Sequence, residues 1–91
     1  MTRAKFRRDL YVLEAQREAS KRGALCMWTI YDRPTDYPQG FIARRHEVPG
    51  GPTDDTFTGR LGELRAIFRT AGLTVLPRDE GDERAIVETW T

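Results

Sequence analysis

Apolar residues in the first quarter of the chain recur at helical spacing. A stripe with this period runs through residues 3–22, at Phe6, Leu10, Leu13, Ala15 and Ala19, and Tyr11 and Val12 widen it. No proline or glycine interrupts the stripe before Gly23, a residue type that commonly follows the last turn of a helix. The pattern predicts a first helix over residues 3–22 that ends at Gly23.

The next segment has the composition of a strand. Residues 25–31 are rich in β-branched and aromatic side chains, and their nearly continuous apolar character is typical of a central strand covered on both faces. Because strand side chains alternate, Trp28 and Ile30 should point one way, and Met27, Thr29 and Tyr31 the other.

A second strand is predicted over residues 41–48, after a loop over residues 32–40 that contains two prolines. On this strand one face carries Phe41, Ala43 and Arg45, and the other carries Ile42, Arg44, His46 and Val48. A turn follows at residues 49–53, and residues 55–58 are expected to form a short edge strand.

Residues 59–71 carry the second helical stripe, at Leu61, Leu64, Ile67, Phe68 and Ala71. Thr58 is the expected N-cap, and Gly72 is expected to stop the helix in the left-handed conformation, with Leu73 as the hydrophobic contact. Residues 73–77 are predicted to be extended, residues 78–83 to form an acidic turn and residues 85–90 to form the last strand.

This order, α-β-β-(β)-α-β, predicts the α+β class. We expect a small, mostly antiparallel sheet of three to four strands, with one helix packed on it and an N-terminal basic helix. The core should consist mainly of large apolar residues from the strands and the second helix: Trp28, Ile30, Ile42, Leu61, Leu64, Phe68, Ile86 and Val87, with Trp90 at least partly packed.

Charge separates the first helix from the rest of the chain. The formal net charge is only +1, so the overall charge does not indicate nucleic-acid binding. Residues 1–24, however, hold seven basic residues against three acidic ones, whereas residues 73–91 hold two against five. We therefore divide the 91 residues into an N-terminal basic helix or extension (1–24) and a single α+β domain (25–91).

The residues that usually carry chemistry are scarce. One histidine and one cysteine cannot supply the four ligands of a structural zinc site, and the Gly-rich phosphate-binding motifs do not occur, so we expect no metal and no cofactor. No apolar run approaches the length of a membrane span. The single Cys26 is typical of a reducing compartment, which favours the cytoplasm.

Three function classes stay open. The first is a non-enzymatic protein-binding module, with self-association as one form, whose surface includes Arg33, Asp36 and Tyr37 in the proline-framed loop. The second is a nucleic-acid binder that uses the basic helix together with Arg44 and Arg45. The third is a small enzyme in which His46 acts as a base beside an aspartate such as Asp32 or Asp36. The candidate binding surface is therefore Arg33, Asp36, Tyr37, Arg44, Arg45 and His46.

Several stretches of residues 27–91 resemble a family of short bacterial proteins that also occur on mobile elements. The resemblance lies in Met-Trp-Thr-Ile-Tyr-Asp-Arg-Pro-Thr-Asp-Tyr-Pro (27–38), Phe-Ile-Ala-Arg-Arg (41–45), Gly-Leu-Thr-Val-Leu-Pro-Arg (72–78) and Ile-Val-Glu-Thr-Trp (86–90). It implies a bacterial or phage setting and no mechanism, since no activity is established for that family. Members often begin near the methionine that matches Met27, which implies that residues 1–24 are an extension or reflect a different choice of start codon.

Overall fold

The computed structural model describes residues 6–91, which form two helices and five strands in a single sheet. The elements are α1 (Arg8–Lys21), β1 (Leu25–Asp32), β2 (Phe41–Val48), β3 (Gly51–Gly59), α2 (Leu61–Thr70), β4 (Val75–Pro77) and β5 (Ile86–Trp90). The sheet order is β3-β2-β1-β5-β4, and every neighbouring pair is antiparallel. The predicted α+β class is confirmed. There is one strand more than predicted, because residues 75–77 pair with β5.

Both helices pack on the same face of the sheet. The core cluster joins Val12 of α1 and Phe68 of α2 to Trp28 and Ile30 of β1. The Trp28 and Phe68 rings lie 5.5 Å apart between centroids. β1 is central in the sheet, as predicted, but the prediction that it is covered on both faces is wrong, because neither helix lies on the face that Met27, Thr29 and Tyr31 share.

The buried side of α1 differs from the predicted stripe. Phe6 and Leu10 are 69% and 52% exposed, whereas Val12 and Ala19 are fully buried. The helix carries two overlapping apolar stripes. The stripe that faces the sheet has the smaller side chains, Val12 and Ala19, which allow α1 to approach the sheet closely. The predicted start at residue 3 lies outside the described residues. The predicted stop is confirmed, since Gly23 follows the helix with φ +75°.

The start of α2 is later than predicted. Thr58 is not its N-cap, because β3 runs to Gly59 and pairs with β2 as far as Phe41. Arg60 takes the N-cap position without a side-chain hydrogen bond. The end of the helix agrees with the prediction, since Gly72 has φ +86° and the Leu73 amide donates to the Phe68 carbonyl at 3.0 Å.

A glutamine of α1 connects the helix to the sheet. Gln16 Nε2 donates to the Cys26 carbonyl at 3.0 Å, and Trp28 Nε1 donates to Gln16 Oε1 at 3.2 Å. The described part of α1 therefore shares one core with residues 25–91. Independent folding of residues 25–91 without α1 stays a prediction. Neither described helix is long and apolar enough to cross a membrane.

Candidate functional site

The sheet face that points away from both helices, which we call the open face, is left uncovered by the described helices. On the three central strands, alternation places there four outward positions each from β1 and β2 and two from β5, namely Leu25, Met27, Thr29, Tyr31, Ile42, Arg44, His46, Val48, Ile86 and Thr89. The edge strands add Pro52, Thr56 and Thr58 from β3 and Leu76 from β4. Only Arg44 among them carries a permanent charge. Solvated faces of antiparallel sheets are usually polar, so the open face departs from the common pattern.

The pairing register shows how these side chains are arranged. Across the sheet, Met27 lies opposite His46, and Thr29 lies between Arg44 and Thr89. The Thr29 and Thr89 hydroxyls are joined by a hydrogen bond of 3.1 Å. The two threonines at the centre of the open face therefore satisfy one another, and Arg44 is the one charged side chain among the positions beside them.

Two aliphatic side chains extend this surface at one end. Leu25 and Val48 are cross-strand partners, and they are 50% and 54% exposed. A single exposed aliphatic side chain is common on a protein surface, but here two neighbouring ones extend an apolar face.

A shallow groove of about 820 Å³ runs along the open face. Its floor includes Met27, Tyr31 and Ile86, and His46 lies along its β2 side. The turn that joins β2 to β3 closes one end, and Asp82 lies at the border next to β5. This size is within the range of binding sites in proteins.

Charges of opposite sign stand on the two sides of Tyr31. The Arg44 guanidinium carbon lies 5.2 Å from the centroid of the Tyr31 ring, in the geometry of a cation–π contact. Burial raises the pKa of Tyr31, Arg44 opposes this, and the negative charges of Glu83, Asp36 and Asp82 add to it. The open face therefore carries the Arg44–Asp36 ion pair toward β2 and acidic side chains alone toward the turn before β5.

The structure brings only some of the predicted site residues together. Arg44 and His46 lie on the open face, and Asp36 reaches Arg44 from the loop and forms an ion pair with it. Arg33 and Tyr37 instead line a separate cavity of about 650 Å³ that also includes Arg60. The loop side chains and the strand side chains therefore do not form one continuous site.

Arg45 lies on the helix side of the sheet, away from Arg44. Its Nε donates to Asp55 at 2.7 Å and its Nη1 donates to Glu47 at 2.6 Å, and only 17% of its side chain is exposed. Tyr11 of α1 also donates to Asp55. The expected pair of strand arginines is thus divided between two faces, and Arg45 connects the sheet with α1.

Several bases of the N-terminal helix are engaged by acids. Arg7 pairs with Asp9, Lys21 with Glu18 and Arg22 with Glu47. The Glu47 carboxylate accepts from both Arg22 guanidinium nitrogens, at 2.9 and 3.0 Å. Neutralisation within the chain leaves less positive charge for phosphates than the sequence count indicates.

The two residues with nucleophilic or basic character lie on opposite faces. Cys26 is buried beneath the helices, and burial raises the pKa of its thiol, which is the opposite of what a reactive cysteine needs. His46 borders the groove, and none of the ion pairs within residues 6–91 includes it. In the same part of the chain, no three His, Cys, Asp or Glu side chains come together as metal ligands.

Known proteins add no indication of function to the one that this geometry gives. No known protein family, curated protein or solved structure matches the chain.

Eight of the ten residues that the three central strands place on the open face were not among the predicted site residues: Leu25, Met27, Thr29, Tyr31, Ile42, Val48, Ile86 and Thr89. The alternation along residues 25–31 already placed Met27 and Thr29 on one face, and the available signal was the lack of charge at these positions. Asp82 could not be found in this way, because it reaches the groove only through the pairing of β5 with β1.

Proposed function

We propose that this chain is a non-enzymatic protein-binding module whose docking surface is the open face. The observation that carries the proposal is the nearly uncharged centre of this face, where Met27, Tyr31 and Ile86 line a groove beside exposed Leu25 and Val48. Burying such a surface against another protein removes apolar area from water, which is the main favourable term in association.

The two edges of the sheet are poor alternatives for docking. β3 carries Pro52, has an irregular register opposite Arg44–His46, and its Thr58 carbonyl already accepts from Arg8 at 3.3 Å. β4 has three residues and ends in Pro77. Prolines, bulges and short edge strands oppose the addition of another strand, so the face is better suited to bind protein than the edges are.

Photo-cross-linking from matched positions tests the proposal. A photoreactive amino acid at position 25 or 48 is compared in cells of the native host with the same group at position 10 or 75. Leu10 and Val75 are the controls, because they are the same residue types, 52% and 42% exposed, but do not lie on the open face. Protein adducts from positions 25 and 48 alone are expected. Equal yields at all four positions would overturn the proposal.

Nucleic-acid binding is the second candidate, and the Arg44–Tyr31 contact is the observation that favours it. A cation above a half-buried aromatic ring is a feature of surfaces that stack single-stranded bases. Binding of this kind weakens steeply between about 50 and 200 mM salt. A gel-shift assay with single-stranded RNA and DNA at about 50 mM salt that retains no complex rejects this candidate.

We propose the cytoplasm as the location of the protein. The support is the single cysteine, which is buried and has no partner for a disulfide within the chain. Fractionation of cells that express the full chain at its natural level tests this, and recovery outside the cytoplasmic fraction would contradict it.

A further inference from the structure

We infer that the protein docked on the open face is a second copy of this chain, related to the first by a two-fold axis parallel to β1. This inference rests on the proposed function, since it names the partner of the same surface. A two-fold interface joins one patch to itself, so the patch must be self-complementary. The open face meets this requirement in charge, because Arg44 and Asp82 stand on its opposite sides.

The charge arrangement selects the direction of the axis. Arg44 stands on the β2 side of Tyr31, and Asp82 stands on the β5 side, at the border of the groove. Rotation about an axis parallel to β1 exchanges these two sides, so Arg44 of each copy faces Asp82 of the other. Rotation about an axis in the sheet plane and perpendicular to β1 would instead place the β2 side of one copy against the β2 side of the other. The two Arg44 side chains would then approach each other, at a cost in electrostatic repulsion.

Existing contacts leave Arg44 able to take part. Its ion pair with Asp36 is solvent-exposed, since 67% of the Asp36 side chain is accessible. Exposed pairs contribute little to stability, so the Arg44 guanidinium can share its donors with a second carboxylate at small cost.

Aligned sheet packing provides a geometry for this contact. Two antiparallel sheets pack face to face about 10 Å apart with their strands within about 30° of each other. The sheet is four inter-strand spacings wide and about six residues long, which gives the open face a projected area of roughly 400 Å² per copy. Two copies would therefore bury roughly 800 Å² in total, the size of a weak, transient contact, so we expect a weak dimer that assembles only at high protein concentration.

Sedimentation equilibrium of the full chain tests the inference. From about 1 μM to about 1 mM, the average mass is expected to rise from that of the 10.5 kDa chain to twice this value. The Leu25→Lys/Val48→Lys variant is expected to raise the dissociation constant at least about tenfold. The Leu10→Lys/Val75→Lys variant, which adds the same charges elsewhere, should leave it within about twofold.

A charge exchange tests the direction of the axis. Arg44→Glu and Asp82→Lys should each weaken the dimer about five- to tenfold, and the double variant should return within about threefold of the natural chain. Asp82→Asn provides a gentler change, because its amide oxygen can still accept from the Asp79 amide that holds the turn. Asp82→Asn should weaken the dimer about two- to threefold. The melting temperature of every variant is measured first and should be unchanged.

The outcomes separate this inference from the function that it extends. A chain that stays monomeric at about 1 mM overturns self-association. Cross-links from positions 25 and 48 to a different protein would then still support the open face as a docking surface. A dimer that the Leu10→Lys/Val75→Lys variant weakens and the open-face variant does not overturns the placement. A double charge variant as weak as its two parents overturns the axis.

Discussion

Replacing Gln16 by leucine removes two of the hydrogen bonds that connect α1 to the sheet. The side chain accepts from the Trp28 indole and donates to the Cys26 carbonyl, at 3.2 and 3.0 Å. Leucine is similar in size and favours a helix at least as well, so packing and propensity change little. The variant therefore isolates the effect of leaving buried polar groups without partners.

The magnitude follows from what each partner loses. Trp28 is fully buried, so its indole N–H has no access to water and its loss of an acceptor costs about 1–3 kcal/mol. The Cys26 carbonyl still accepts from the Thr91 hydroxyl at 2.9 Å, which limits the second loss to about 0.5–1 kcal/mol. We expect Gln16→Leu to reduce the free energy of unfolding by about 1.5–4 kcal/mol, equivalent to roughly 6–30 °C in melting temperature for a domain of this size.

Urea unfolding followed by tryptophan fluorescence measures this difference, since Trp28 and Trp90 both belong to the core. Arg17→Leu is the control, because Arg17 is exposed on the same helix, and it should stay within about 0.5 kcal/mol of the natural chain. A Gln16→Leu midpoint equal to that of the control would refute the reasoning.

Three further predictions concern stability. Phe68→Ala should cost about 3–5 kcal/mol, because the ring is fully buried between Trp28 and Trp90, and a melting temperature within a few degrees of the natural chain would contradict the packing. The hydrogen bonds from Arg65 lower the pKa of Glu88, so the stability from this carboxylate is complete above about pH 4.3 and is lost as the pH falls through the lowered pKa. Denaturation followed from neutral to acid pH should therefore show a shallower loss for Glu88→Gln than for the natural chain. Deletion of residues 1–24 should destabilise the domain by at least about 3 kcal/mol, since buried Val12 and Ala19 are removed together with Gln16, and cooperative melting at the original temperature would show that 25–91 folds alone.

The alternation along residues 25–31 and 41–48 was readable without the structure. A strand has a period of two, so the separation of Trp28 and Ile30 from Met27 and Tyr31 follows from chain order alone. Gly23 and Gly72 were readable as helix stops for a similar reason, because the left-handed conformation there strongly favours glycine.

Local pattern did not determine where α2 begins. Thr58 has the chemistry of an N-cap, but pairing with β2 keeps it in the sheet as far as Gly59. The sheet ladder satisfies the backbone there, so the choice was made by tertiary pairing rather than by the propensity of the residue.

The sequence by itself determined which side chains share a face, and only the tertiary structure decided which face the helices cover. Arg44 and Arg45 illustrate the difference: their opposite directions follow from alternation, but their partners Asp36 and Asp55 come from a loop and from a different strand. The side that α1 and α2 occupy depends on how the connections cross the sheet, and periodicity carries no information about it. For this reason the open face, which carries the proposed function, could be recognised only after both helices were placed on the other side.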